Sequence, residues 1–220
     1  MLQSKNMQAT KAILLDKIST YCRNLEREFS LIPAERKRFL FALSDYFSNK
    51  FQHNQTPKTT VICTHNSRRS HIGQIWLAVG ALYYQLPEIQ TFSGGTEATA
   101  FNPRAVATLT KIGFHISQTK FETPTNPIYE VNWATDQPAY LAFSKKYDTP
   151  PNPTKNFGAI MVCTEADKGC PFVAGTDFRL ALPFDDPKAF DDTPLESEKY
   201  LERCQQIGRE LLFVMSMVKG

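Results

Sequence analysis

Cys63-Thr64-His65-Asn66-Ser67-Arg68-Arg69-Ser70 places a thiol, five residues, a guanidinium and a hydroxyl in one short run. The run follows the β-branched stretch Thr59–Cys63 and opens a helix-like stretch. A helix N-terminus presents unpaired backbone N–H groups and a partial positive charge. A tight loop there aims several donors at one point, which makes a cradle for a tetrahedral oxyanion. Cys63 is expected at the base of that cradle, where its thiolate, the nucleophilic form, would face those donors and Arg69. The planar fork of Arg69 can grip two oxygens of the anion. Ser70 can donate a hydroxyl bond to the sulfur when it becomes a leaving group. His65 is expected to point outward, because the backbone makes the cradle.

Two further groups carry chemistry. Displacement of an oxygen from such an anion needs a general acid. Asp186, in Asp185-Asp186-Pro187, fits that role, with Pro187 restricting it to an extended shape. Asp-Pro is also a common turn signal. Cys163 and Cys170 have six residues between them, and Pro171 follows. They make a poor zinc site, because no further Cys or His pair follows at ligand distance, so no metal is expected. A rigid helix would separate their Cα atoms by about 10.5 Å, and a disulfide needs less than about 7 Å. Gly169 and Pro171 weaken helix here. The segment reads as a mobile one able to pass a disulfide along, or else as two unrelated buried thiols. Cys22 and Cys204 fall within helical patterns and read as inert core thiols.

The elements that must position these groups follow from the pattern of apolar residues. From about Gln8 to Phe51 the pattern is helical, with Leu14, Ile18, Tyr21, Leu25 and Phe29 forming a first stripe. Pro33 suits the first turn of a second helix, with Phe39, Leu40, Leu43, Phe47 and Phe51 on its apolar side. Buried strands are predicted at Thr59–Cys63, Ile89–Phe92, Phe157–Cys163 and Phe178–Leu182. Helices are predicted at Ser70–Tyr84, Asn102–Ile112 and Leu195–Met217. Alternating β and α units imply an α/β fold, a four-stranded parallel sheet flanked by helices. Residues 1–57 then form an N-terminal helical extension and 58–220 the α/β domain. The proline-rich stretch from about 121 to 156 reads as an insertion. Within it, Tyr129–Trp133 and Tyr140–Phe143 pair as a hairpin across Thr135–Pro138.

The 220 residues are 42% hydrophobic and 21% charged, enough for one globular core. A net charge of +3 is too mild to argue for nucleic acid or a membrane surface. No apolar run reaches the roughly 20 residues a bilayer requires, and the N-terminus does not read as a secretory signal. A cytoplasmic protein is expected. Its five cysteines, odd in number and widely spread, are then more readily free or catalytic than structural.

Together these segments resemble the low-molecular-weight protein tyrosine phosphatase superfamily, and within it the thioredoxin-coupled arsenate reductases. The resemblance covers roughly Thr59 to Gly220 apart from the insertion. The reductase pattern Cys-Thr-Gly-Asn-Ser-Cys-Arg-Ser is matched by residues 63–70, with His65 and Arg68 as departures. Ser93-Gly94-Gly95-Thr96-Glu97-Ala98 and Asn102-Pro103-Arg104-Ala105-Val106 echo two further family segments. Cys163, Cys170 and Pro171 match the family's resolving cysteines, and Phe184–Pro187 its Phe-Asp-Asp-Pro.

The resemblance implies that Asn66 and Ser93 brace the loop. It implies a relay from Cys63 through Cys163 to Cys170, emptied by a thioredoxin-like reductant, with no tightly bound cofactor. Thr99 stands where many of those reductases have a histidine that helps hold potassium, so a potassium site is left open. The alternative is hydrolysis of phosphotyrosine or another aryl phosphate with Cys63, Arg69 and Asp186. Against it, Lys188-Ala189-Phe190 stands where the phosphatases usually have paired tyrosines. A third reading is a non-catalytic oxyanion-binding module, with Arg68 crowding the loop. The extension and the insertion are foreign to the minimal family; capping the site, restricting substrates and making a homodimer are the roles open to them.

Overall fold

The computed structural model describes residues 12–120, 125–170 and 172–219. In chain order its elements are β1 (Ile13–Leu14), α1 (Asp16–Arg27), a 3-10 turn (Phe29–Leu31), α2 (Ala34–Gln52), β2 (Lys58–Cys63), α3 (Arg69–Tyr83), β3 (Gln90–Gly95), α4 (Pro103–Ile112), β4 (His115–Gln118), β5 (Tyr129–Asn132), β6 (Ala134–Thr135), β7 (Tyr140–Ala142), β8 (Phe157–Met161), α5 (Thr164–Gly169), β9 (Thr176–Ala181), a second 3-10 turn (Pro187–Phe190) and α6 (Glu196–Ser216).

The main sheet has the order β3-β2-β8-β9, and every pair in it is parallel. This is the predicted four-stranded parallel sheet flanked by helices. Thr59-Thr60-Val61-Ile62 are buried on both sides, as an interior parallel strand requires. Cys63 ends β2 opposite Gly95 at the end of β3. It therefore sits at the carboxyl edge of the sheet, where open α/β folds place their ligands.

α3 packs closely on α6. A Cβ on Gly208 would stand 2.8 Å from the Trp76 ring, so only glycine permits this approach. Trp76 is fully buried there. The N-terminal helices join the same core: Ile18, Cys22, Leu25, Leu40 and Phe47 belong to the buried cluster that holds β2 and α6. Their polar bonds tie them to α6 and β9. Glu28 pairs with Arg209, Arg36 with Glu210 and Lys50 with Asp177.

Several local expectations are corrected. Leu14 is not helical: residues 13–14 pair with 134–135 as antiparallel strands, and Leu15 N donates to Trp133 O. Tertiary pairing captures this stretch before α1 begins. Phe29 lies not in α1, which ends at Arg27, but in a 3-10 turn that stops at Ile32, extended ahead of Pro33. The predicted start at Gln8 lies outside the described residues, as do Phe121–Pro124 of the insertion and Pro171.

The insertion hairpin forms, with Tyr129 opposite Ala142 and Val131 opposite Tyr140. Its connection is not a simple turn, since Ala134–Thr135 is the strand that pairs with β1. A third strand is added ahead of it: β4 pairs antiparallel with β5, so this second sheet starts at His115. Among the described residues no helix is long and apolar enough to cross a membrane.

Candidate active site

Between β2 and α3 the chain turns through residues 64–68. Asn66 takes the left-handed φ of 44° that asparagine tolerates. Its side chain is fully buried and works in two directions. Nδ2 donates to Ser70 Oγ at 2.9 Å, and Oδ1 accepts from Lys145 N at 2.9 Å. Because Asn66 supplies a proton to Ser70 Oγ, the hydroxyl's own proton is free for the sulfur. Ser70 Oγ lies 3.1 Å from Cys63 Sγ. The thiol thus rests on a donor oriented from behind, at the first turn of α3.

Arg69 is buried beside it. Nη1 donates to Phe184 O at 2.9 Å and Nη2 to Asp186 Oδ2 at 2.6 Å. Its Nε is buried without a partner among the described residues. Leaving a buried charged donor unpaired is costly, and Arg36, Arg179, Arg203 and Arg209 each also keep one buried unpaired nitrogen. Asp186 also accepts from Lys188 N at 3.1 Å, and its side chain is a third exposed. The predicted acid and the predicted anion grip are therefore already in contact.

Arg68 does not crowd the loop. Its side chain leaves toward α6, with Nε donating to Tyr200 Oη at 2.6 Å and Nη2 to Asp191 Oδ2 at 3.1 Å. His65 points outward as expected, with Nε2 3.6 Å from Glu97 and the side chain about half exposed. Ser67 is buried, and its carbonyl accepts from Asn102 N at 2.9 Å, tying the loop to the start of α4. Thr99 is likewise engaged with loop backbone: its Oγ1 donates to His65 O at 3.2 Å.

Ser93, implied as a loop brace, has its hydroxyl 3.3 Å from His71 Nδ1 on the first turn of α3, and His71 in turn bonds the backbone of Asn66 in the loop. His71 stacks on Phe101 at 4.2 Å, and burial first, then Lys145, pushes its pKa well below the usual histidine value.

The second thiol pair lies at the loop's edge. Cys163 is buried and caps α5, accepting from Ala166 N at 3.4 Å. Thr64 Oγ1 is 3.4 Å from the same sulfur. Cys170 is half-buried at the other end of α5, and all five cysteines are free. Cys22 and Cys204 are buried in the core, and burial pushes both up to about 12. Among the described residues no cluster of His, Cys, Asp or Glu could hold a metal ion.

A strap at residues 144–147, inside the stretch read from sequence as an insertion, braces the loop. Ser144 Oγ donates to His65 O at 2.9 Å. Lys145 N donates to Asn66 Oδ1, Gly95 N to Lys145 O, and Tyr147 N to Gly95 O. A Cβ on Gly95 would fall 2.2 Å from Glu97 O and 2.7 Å from Asn66 N, so strap, strand and loop meet where no side chain fits. The available signal was Asn66: a buried amide in a loop needs a partner, but the sequence does not say which.

No protein-family model and no curated protein matches the chain. Among solved structures, the chain is similar to a low-molecular-weight phosphotyrosine phosphatase from Vibrio cholerae O395, at 17% identity and a TM-score of 0.47, over 73% of this chain and 95% of that one. It is also similar to Primo-1, at 13% identity and a TM-score of 0.46, over 72% of this chain and 96% of that one.

Proposed function

We propose that this protein is a thiol-dependent enzyme acting on tetrahedral oxyanions, with Cys63 as nucleophile. The observation that carries this reading is the pairing of Cys63 Sγ with Ser70 Oγ at 3.1 Å beside the unpartnered Nε of Arg69. A sulfur at a helix start, a hydroxyl within reach of it and a buried guanidinium with one N–H still unpaired are groups that suit an oxyanion.

The finer reading is arsenate reduction. Cys63 thiolate attacks arsenic(V); Asp186 protonates the departing oxygen, and a Cys63–arsenic bond replaces the arsenic–oxygen bond. Cys163 thiolate then attacks the Cys63 sulfur. A Cys63–Cys163 disulfide forms, the sulfur–arsenic bond breaks, and its electron pair leaves with arsenic(III) as arsenite. Cys170 attacks Cys163 and frees Cys63. The Cys163–Cys170 disulfide passes to a thioredoxin-like dithiol. Support comes from Cys163, whose sulfur touches Thr64, the residue next to Cys63, at 3.4 Å.

A second reading is hydrolysis of an aryl phosphate, supported by the 2.6 Å contact of Asp186 with Arg69, which keeps this carboxyl group next to the residue that follows the Cys63 loop and needs no relay. One experiment separates them. Supply arsenate with thioredoxin, its reductase and NADPH, and in parallel an aryl phosphate. Cys63→Ser should abolish both activities. Cys163→Ser should abolish arsenate turnover and spare the ester. Arsenate turnover that survives Cys163→Ser excludes the relay.

A further inference from the structure

The consecutive arginines 68 and 69 hold opposite ends of one segment. Arg69 bonds Phe184 O and Asp186 at its start. Arg68 bonds Asp191 and Tyr200 at its end. Tyr200 Oη also donates to Asp191 Oδ1 at 2.7 Å, closing a triangle of three mutually bonded side chains. Arg68 and Asp191 are largely buried, with side-chain exposures of 11% and 17%. Tyr200 is 1% exposed. Behind them Arg104, on α4, lies 3.7 Å from Asp191 and bonds Glu196 and Asp192. Arg104 and Tyr200 also line a groove of about 420 Å³ between α4 and α6.

The two ends differ in what an arriving anion does to them. On the proposed function, an oxyanion bound at Cys63 draws on the Arg69 guanidinium in competition with Asp186. Arg68 points away from the cradle and has no reason to let go. We infer that Arg68 is a positioning residue: with Asp191 and Tyr200 it anchors the far end of the Asp186 segment, so that Asp186, when Arg69 turns to the substrate anion, stays at the mouth to protonate the departing oxygen. This rests on the reading of Asp186 as general acid. It also accounts for an arginine at position 68, which the cradle itself does not need.

The test uses the whole protein and two readouts. The first is amide hydrogen exchange with inorganic phosphate present, which requires no turnover. In Arg68→Met, exchange across 187–192 should rise at least tenfold while α4 is unchanged, and in the parent protein phosphate should leave 187–192 protected. Asp191 keeps Tyr200 and Arg104 in this variant, and Tyr200→Phe is a milder second probe that should move exchange in the same direction. Exchange in both variants equal to the parent overturns the anchor.

The second readout is the leaving group. Arg68→Met should lose at least tenfold more rate on phenyl phosphate than on dinitrophenyl phosphate, whose good leaving group needs little acid help. That loss should be non-additive with Asp186→Asn. Equal losses on both esters overturn the positioning role. A parent protein that turns over neither arsenate nor any ester refutes the proposed function itself, and the exchange comparison then decides the anchor alone.

Discussion

Thr64 Oγ1 and Cys163 Sγ lie 3.4 Å apart, joining the first residue after Cys63 to the residue that caps α5. The two stretches come together because β2 and β8 are parallel neighbours ending at the same edge of the sheet. A thiol on one strand end is thereby placed beside the Thr64–Arg68 loop on the other.

If Cys163 passes a disulfide to Cys170, α5 must unwind, because a helical turn count holds their Cα atoms about 10 Å apart. Arg179 opposes this. Its Nη2 donates to Asp167 O at 3.0 Å, to the Asp167 carboxylate at 2.6 Å and to Cys170 O at 2.9 Å. Arg179→Ala should therefore speed formation of the Cys163–Cys170 disulfide by diamide several-fold, followed by mass spectrometry of the trapped thiols. An unchanged rate shows that α5 unwinding does not limit the step.

Lys145 is 4% exposed, with Nζ 3.3 Å from Phe143 O and 4.6 Å from the Phe143 ring centre. Burial pushes its pKa down to about 8 from 10.5. Between those two values the unfolded chain binds more protons than the folded one, so stability from this group rises with pH. Below pH 8 the buried charge costs up to about 3 kcal/mol, at about 1.36 kcal/mol per unit. Lys145→Met should be more stable than the parent at pH 7, and the gap should shrink by pH 10. Urea titrations at both values check this; a gap independent of pH contradicts it.

Gly95→Ala should damage the loop rather than the sheet. The added methyl would collide with Glu97 O and the Asn66 backbone, which are not flexible side-chain ends. Overpacking of this kind costs about 1–3 kcal/mol. The expected result is a lower melting temperature together with lost phosphate binding, read by calorimetry. Full phosphate affinity in a stable Gly95→Ala protein would be incompatible with the packing described.

Cys22 and Cys204 should resist iodoacetamide at pH 8 in the native protein, because burial pushes both up to about 12. Half-buried Cys170 should react well ahead of them. Peptide mapping after short exposure decides the order, and early labelling of Cys22 would contradict its core position.

The strand, loop and helix around Cys63 were legible because each rests on local signals: a β-branched run, a short polar turn and an apolar helical stretch. The insertion hairpin was legible for the same reason. What was not legible depended on pairing at a distance. Leu14 fits a helical period as well as a strand, and only residues 134–135 decide between them. β4 has no strong alternation and becomes a strand through β5. The direction of Arg68 is set by Tyr200, 132 positions away. Ser93 meets the loop through His71, a partner the sequence pattern does not name.

The most direct measurement is the rate of Cys63 alkylation by iodoacetate, followed peptide by peptide with and without arsenate or phosphate. The account predicts that either anion slows Cys63 labelling at least tenfold at saturation, that labelling of Cys170 is unaffected, and that Arg69→Met removes the protection. Labelling of Cys63 at the same rate with and without both anions would contradict the claim that this thiol sits beneath an oxyanion cradle.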